Sequence, residues 1–383
     1  MKNNVHIYPS PILFESRLFK IVKSISELNV YDNIYILGIS SKGSPVSEIF
    51  KKNIVIKRLN IKEDDWKKTG FINSAFKIIK LSILTFKFLV KTNPKVIHAH
   101  NLASLPVAVF YKIFYNCKIV YDTHELETER EGWSRFTRIV SKIFEFIFIK
   151  FADITVVVND AIADLYKKWY KINVISLLNT PEYSHFDLNN NYFRNKYNIK
   201  NKTKIFVYVG VFKESRGVLH YIDFIKKTKL DICFIFIGFG KEEDQMNLLA
   251  KDSNKFFVHK PVKEDSLIKL ISSADYSLQT MSFQNNLPLS YKVGLGNKFF
   301  QSCMVRLPMI GGGYDYQKKL IEQYRIGITI NNDDFESIEK GIIKLLSMDL
   351  DLLKQNCKKV FEKYNWKNES TKIVNYYKKY IFK

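Results

Sequence analysis

Short runs of β-branched and aromatic residues alternate with longer segments of helical periodicity along nearly the whole chain. In the first half the strand-like runs are "VHIYP" (5–9), "NIYILGI" (33–39), "IVIKRL" (54–59), "VIHA" (96–99), "KIVYD" (118–122), "ITVVV" (154–158) and "NVISLLN" (173–179). The second half repeats the style with "IFVYVG" (205–210), "ICFIFIG" (232–238), "FFVHK" (256–260), "YSLQT" (276–280), "LPMIG" (307–311) and "IGITI" (326–330). Most are continuous apolar runs, not alternations, as expected of strands buried on both faces of a parallel sheet. Strand–helix alternation over this length predicts a doubly wound α/β architecture. One stretch breaks the pattern. Residues 183–203 are polar and Asn-rich and read as a linker. The expected organisation is a Rossmann-like domain over 1–182, a second over 204–365, and a C-terminal helix over 366–383 returning to the first. Ligands of such sheets bind outside the carboxyl ends of the strands, so a cleft between the two domains is expected to hold them.

Composition narrows the partners. The chain has 383 residues, 46% hydrophobic, enough for two buried cores. Sixty Lys and Arg against 38 Asp and Glu give a formal charge of +22. That charge favours an anionic partner: nucleic acid, an acidic membrane surface or a phosphorylated ligand. A nucleic-acid binder would want basic residues interleaved with aromatics, or a helix-turn-helix or RNA-binding signature. The aromatics sit mostly in apolar runs instead, so no nucleic acid is expected. The four cysteines (Cys117, Cys233, Cys303, Cys357) are far apart and form no C-x-x-C, which favours neither a disulfide framework nor a zinc site. A reducing cytoplasm is expected. The N-terminus has no continuous apolar core of a signal peptide, and no stretch of about 20 residues is apolar enough to span a bilayer.

Five segments of the second half then occur in a telling order: "VYVGVFKESRGVLHYI", "IFIGFGKEEDQMNLLA", "PVKEDSLIKLISSADYSL", "VGLGNKFFQSCMVRLPMI" and "YNWKNES". In the first half "VIHAHNLASLPVAVF" and "IVYDTHELE" end two strands in a matching style. Together these resemble a GT-B glycosyltransferase of the large, mostly retaining family 4, across essentially the whole chain. The resemblance implies two Rossmann-like domains facing across a cleft, a nucleotide-sugar donor, and no metal or other cofactor. It also implies a glycan or lipid-linked acceptor of a bacterial surface polysaccharide.

The donor's diphosphate becomes a leaving group and needs positive charge organised beforehand. Gly210 is expected to end a strand and allow a sharp turn, with Lys213 in that turn. Arg216 and Gly217 then open a helix, whose first amides also favour an anion. The resemblance implies that Arg216 contacts the diphosphate. Val211 stands where the family often has an Arg, and Lys213 is expected to compensate. The family's signature places two glutamates eight positions apart; here those positions are Val293 and Gln301. Gln301 is expected to exchange hydrogen bonds with ribose hydroxyls, since an amide both donates and accepts. Gly296, Asn297 and Lys298 are expected to cap a helix and present amides to phosphate. "IGFGKEE" lacks the third glycine of a nicotinamide fingerprint, and Gly238 is read in a tight turn beside the nucleotide.

The histidines occupy the facing wall. His98 and His100, two apart on a strand, face the same way, and no acid is expected beside them to hold a metal. The resemblance places His124 near donor sugar and acceptor, where a neutral imidazole can relay a hydrogen bond from the acceptor hydroxyl. His100 and Asn101 are acceptor-side candidates. Glu125, Glu127, Glu129 and Arg130 are expected on a mostly solvated acceptor rim. Two stretches, 67–91 and 135–151, combine basic residues with a wide apolar surface. A basic amphipathic helix of that kind can lie in an anionic membrane interface. The leading expectation is therefore a cytoplasmic sugar transferase, peripheral on the inner face of the membrane. The other readings are a degenerate partner subunit without its acids, a basic nucleic-acid binder, a nicotinamide enzyme, and a sugar-nucleotide epimerase.

Overall fold

In the computed structural model, residues 2–13, 15–62, 71–251, 253–279, 283, 288–312 and 315–382 are described. Residues 67–70 of the first basic stretch and Thr280 of "YSLQT" lie outside them, as do the side chains of residues 71–76. The chain divides into two compact units, Met1–Asn179 with Glu369–Lys383, and Thr180–Asn368.

The first unit is built on eight strands: β1 (Asn3–Ile7), β2 (Asn33–Ser40), β3 (Ser47–Lys51), β4 (Ile54–Lys62), β5 (Pro94–His100), β6 (Lys118–Asp122), β7 (Ile154–Val157) and β8 (Val174–Ser176). Their order across the sheet is β3-β4-β2-β1-β5-β6-β7-β8. Every pairing is parallel except β3 with β4. From β1 the chain builds outward one way through β2 and β4, then returns to the other side of β1 with β5. The topological switch therefore lies between β1 and β5.

The second unit carries β9 (Lys204–Phe212), β10 (Ile232–Gly240), β11 (Phe256–His259), β12 (Tyr276–Gln279), β13 (Met309–Gly311) and β14 (Gly327–Thr329). Their order is β11-β10-β9-β12-β13-β14, all parallel, with the switch between β9 and β12. The aromatic strand residues fill its core: Phe206 stacks on Tyr276 at 4.9 Å and meets Phe234 edge-on at 5.6 Å. Helix starts follow local chemistry. Asn159 and Asp334 accept from the amides of Ile162 and Ser337, satisfying donors the helices cannot.

Two expectations need correction. The segment 183–203 is part of the second unit. A short helix, Tyr192–Tyr197, forms within it because Phe193 is fully buried and Arg194 pairs with Asp275 at 2.8 Å. Strand β9 also does not end at Gly210 but continues to Phe212. The turn comes later, at Gly217, whose φ of 65° is left-handed. Gly238 is not in a turn either. It faces Gly210 in the β9–β10 ladder, where a Cβ would lie 1.8 Å from the Gly210 carbonyl oxygen. Its need for glycine is close strand packing.

Candidate functional site

Both units present their candidate side chains at their switch points, outside or near the carboxyl ends of the strands. In the first unit the register sets His6 of β1 opposite His98 of β5, and His100 opposite Asp122 of β6. All four are fully buried. Rings of His98 and His100 stack at 4.3 Å, 1° from parallel, so they do face the same way. The expectation of no acid beside them is wrong. Asp122 Oδ2 lies 3.3 Å from His100 Nδ1, 3.7 Å from His124 Nε2 and 3.8 Å from His98 Nε2. Asp122 ends the adjacent strand, so the histidine spacing alone did not reveal it.

Arg17, from the helix Ser16–Ser26, clamps that carboxylate: Nε donates to Oδ2 at 3.1 Å and Nη2 to Oδ1 at 2.7 Å. Its Nη1 donates to the Leu177 carbonyl at 2.7 Å. Burial alone would raise the Asp122 carboxyl, but Arg17 and the facing imidazoles outweigh it and hold it well below the usual range. Two triplets, His6–His98–His100 and His100–Asp122–His124, have ligand atoms close enough for a metal ion. In the second triplet the Arg17 guanidinium already occupies both Asp122 oxygens.

The histidines also form a hydrogen-bonded chain. His6 Nδ1 is 2.9 Å from His100 Nε2, and His100 Nδ1 is 3.0 Å from His124 Nε2. Each neutral imidazole has one donor and one acceptor, so all three protons must point along the chain in the same sense. Burial lowers His6, His98 and His100, and lowers His124 to about 4. His124 is the outlet of this chain, with 18% of its side chain exposed and Tyr8 stacked on its ring at 4.8 Å. Asn101 follows His100 at φ 77°, ψ 166°, a backbone region that strains any residue but glycine. Its amide donates to the Asp122 carbonyl at 3.0 Å.

The loop over 125–130 differs from expectation too. Glu125 is exposed, but Glu127 and Glu129 are buried. Glu127 receives the amides of Leu102 and His124 at 3.2 and 3.3 Å and Arg130 Nη2 at 2.7 Å. Burial, opposed by Arg130, pushes its carboxyl up to about 7. Glu127 thus ties the loop bearing His124 to the turn after β5. Arg130 also pairs with Glu125 at 2.9 Å.

In the second unit Lys213 and Arg216 converge on one residue that the sequence reading missed. Lys213 Nζ donates to the Tyr291 hydroxyl at 2.7 Å and lies 5.4 Å from the ring centre. Arg216 Cζ lies 5.1 Å from the same ring. The aromatic plate orders two cations at the corner where β9 hands over to the helix Val218–Lys227. Tyr291 belongs to a one-turn helix, Leu289–Lys292, far along the chain, with no motif to mark it. Gly296 caps the helix Asn297–Met304 without a side-chain hydrogen bond. Asn297 is exposed, and burial, opposed by Glu264, lowers Lys298. Gln301 is 2% exposed, so it does not offer its amide to a ribose as expected.

The basic stretches form the helices Phe71–Thr92 and Arg135–Phe148. Arg135–Phe148 is turned inside out. Phe136, Ile139, Ile143, Phe144, Phe146 and Ile147 are exposed, whereas Glu145 is fully buried. The phenols of Tyr121, Tyr166 and Tyr170 donate to the Glu145 carboxylate at 2.6, 2.6 and 2.5 Å. Ile78, Ile79, Ile83 and Val90 of the other helix are exposed as well. No helix among the described residues is long and apolar enough to cross a membrane.

Comparison with known proteins places these units. The family model described as "Glycosyl transferases group 1" matches residues 189–363. The model described as "Glycosyltransferase Family 4" matches residues 66–177. An uncharacterized glycosyltransferase of Methanocaldococcus jannaschii is 26% identical over 194 residues, 48% of this chain and 46% of that protein. The chain thus aligns with about half the length of that relative. Among solved structures, a sucrose-phosphate synthase of Thermosynechococcus elongatus superposes with a TM-score of 0.76 at 12% identity, covering 99% of each chain. A glycosyltransferase of Rickettsia africae gives 0.74 at 16% identity, covering 100% of this chain and 99% of the other. HepE of Anabaena, in complex with UDP and glucose, gives 0.70 at 11% identity over 99% and 100%. The fold is that of the GT-B glycosyltransferases.

Proposed function

We infer that this family-4-like glycosyltransferase of the GT-B fold moves a sugar from a nucleotide-sugar donor to an acceptor hydroxyl. The observation that carries the reading is the cationic corner of the second unit, Lys213 and Arg216 held on Tyr291 after β9. Preorganised cations there stabilise the charge that builds on a departing diphosphate. On the acceptor side His124 is neutral at physiological pH, with its conjugate acid near 4. It orients the acceptor hydroxyl as a hydrogen-bond partner and is too weak a base to remove the proton outright. Asp122 is clamped by Arg17, and Glu127 is bonded to Arg130 and two amides, so neither carboxylate is available as a nucleophile. This favours retention in which the leaving phosphate takes the proton of the hydroxyl arriving on the same face. No metal or other cofactor enters this scheme.

The acceptor class we assign is a glycan or lipid-linked acceptor of a bacterial surface polysaccharide, met at the cytoplasmic membrane surface. Support comes from the exposed apolar face of Arg135–Phe148, its flanking basic residues and the charge of +22. HepE was solved with UDP and glucose, which makes UDP-sugars the first donors to test. Thermal-shift titration of UDP-, GDP-, ADP- and dTDP-sugars identifies the donor, and Arg216→Ala then tests the corner. Loss of a charge-assisted contact is expected to weaken donor binding about 10–100-fold. Unchanged affinity would remove the phosphate assignment. Tight donor binding without transfer to any acceptor would favour the degenerate-subunit reading.

A further inference from the structure

We propose that Glu264 holds the ribose of the bound nucleotide, supplying from another helix the carboxylate that position 301 lacks. This rests on the donor reading above. Gln301 is 2% exposed, and its Nε2 donates to Glu264 Oε1 at 2.9 Å. Only the NH2 end of an amide can face a carboxylate, so this orientation is chemically forced. Gln301 Oε1 is then left buried without a hydrogen-bond partner in the chain. Gln301 therefore cannot read a ribose. It positions the group beside it.

Glu264 is exposed, at the start of the helix Glu264–Ile271 that follows β11. One Oε1 lone pair takes the Gln301 amide, and the other acceptor sites of the carboxylate remain available for a ligand. Two vicinal hydroxyls are two donors at a spacing that one carboxylate can receive, and acids recognise ribose in this way in dinucleotide-binding sheets. The location is also right. Gln279, at the carboxyl end of β12, has its Nε2 3.3 Å from Ser302 Oγ, next to Gln301. Strand β12 is one of the two switch-point strands, and the other, β9, leads into the Lys213–Arg216 corner. A nucleoside diphosphate lying there would meet cations at its phosphates and an acid at its sugar.

The test is calorimetric titration with UDP, GDP and ADP, each beside its 2′,3′-dideoxy analogue, and with dTDP. The wild-type protein is expected to bind the ribonucleotide form of its preferred base about 10–100-fold tighter than the dideoxy form. Glu264→Gln, an isosteric change at an exposed site, is expected to bring that ratio within about threefold while diphosphate binding persists. A ratio unchanged by the substitution, or a wild-type protein indifferent to the hydroxyls, overturns the assignment to Glu264. Binding of dTDP but of none of the three ribonucleotides also overturns the assignment to Glu264, and failure to bind any of the four nucleotides overturns the donor reading itself.

Discussion

His124 sits among groups that keep it uncharged, and this has a consequence for stability. Burial, with Arg17 already neutralising Asp122, lowers His6, His98, His100 and His124 in the folded state. Once unfolded, each regains an ordinary value near 6.5. The unfolded chain therefore binds more protons below that pH. The stability these imidazoles permit is fully present above about 6.5 and lost as pH falls, at about 1.4 kcal/mol per pH unit for each titrating group. Glu127 works the other way. Its carboxyl is raised to about 7, so the folded state binds the extra proton and stability falls as pH rises from about 4.5 to 7. Glu145, also raised by burial, acts in the same direction as Glu127, and the four imidazoles outweigh these two carboxyls. A urea midpoint clearly lower at pH 5 than at pH 7 is expected, and an equal or higher midpoint at pH 5 would contradict the network. Sequence spacing revealed the parallel histidines of β5, because alternation on a strand is reliable. It missed Asp122 and Arg17, whose proximity is set by sheet order, and it took Glu127 for solvated because acids usually are.

Among the described residues, apolar runs identified thirteen of the fourteen strands, since a strand buried on both faces has no polar positions to hide it. Strand β3 escaped because "SEIFK" is an exposed antiparallel edge with no buried stripe. Periodicity also marked Arg135–Phe148 as amphipathic but could not say which side faces in. The answer came from three phenols on other elements that capture Glu145 and so commit the apolar side outward. A buried carboxylate with three donors is costly to detach, which makes the exposed face a fixed property of the fold. The prediction is that the protein floats with phosphatidylglycerol vesicles at about 0.05 M salt and much less at about 1 M, where charges are screened within about 3 Å. Neutral vesicles should capture little. Replacing exposed Phe136, Ile143 and Ile147 by Ser should abolish flotation without altering the thermal midpoint. Equal flotation of that variant would remove the membrane role of this helix.

At the scale of the molecule, the first unit is completed by the last residues of the chain. Ile373 and Tyr377 are fully buried in it, the Tyr377 hydroxyl lies 3.0 Å from His98 Nδ1, and Glu369 Oε2 accepts the Leu178 amide at 2.9 Å. The segment therefore packs against the histidine cluster at His98, as the expected return of the C-terminal helix to the first domain requires. Loss of one large buried side chain costs about 3–5 kcal/mol, and here two go together with two buried hydrogen bonds. Deleting residues 369–383 is thus expected to loosen the first unit selectively. Amides of β1, β5 and β6 should exchange with deuterium much faster, while those of β9, β10 and β12 stay protected. The nucleotide should still protect the second unit, because Lys213, Arg216, Tyr291 and Glu264 all lie within it. Uniform loss of protection across both units would mean that they fold as one cooperative body, and that the histidine network and the Lys213–Arg216 corner stand or fall together.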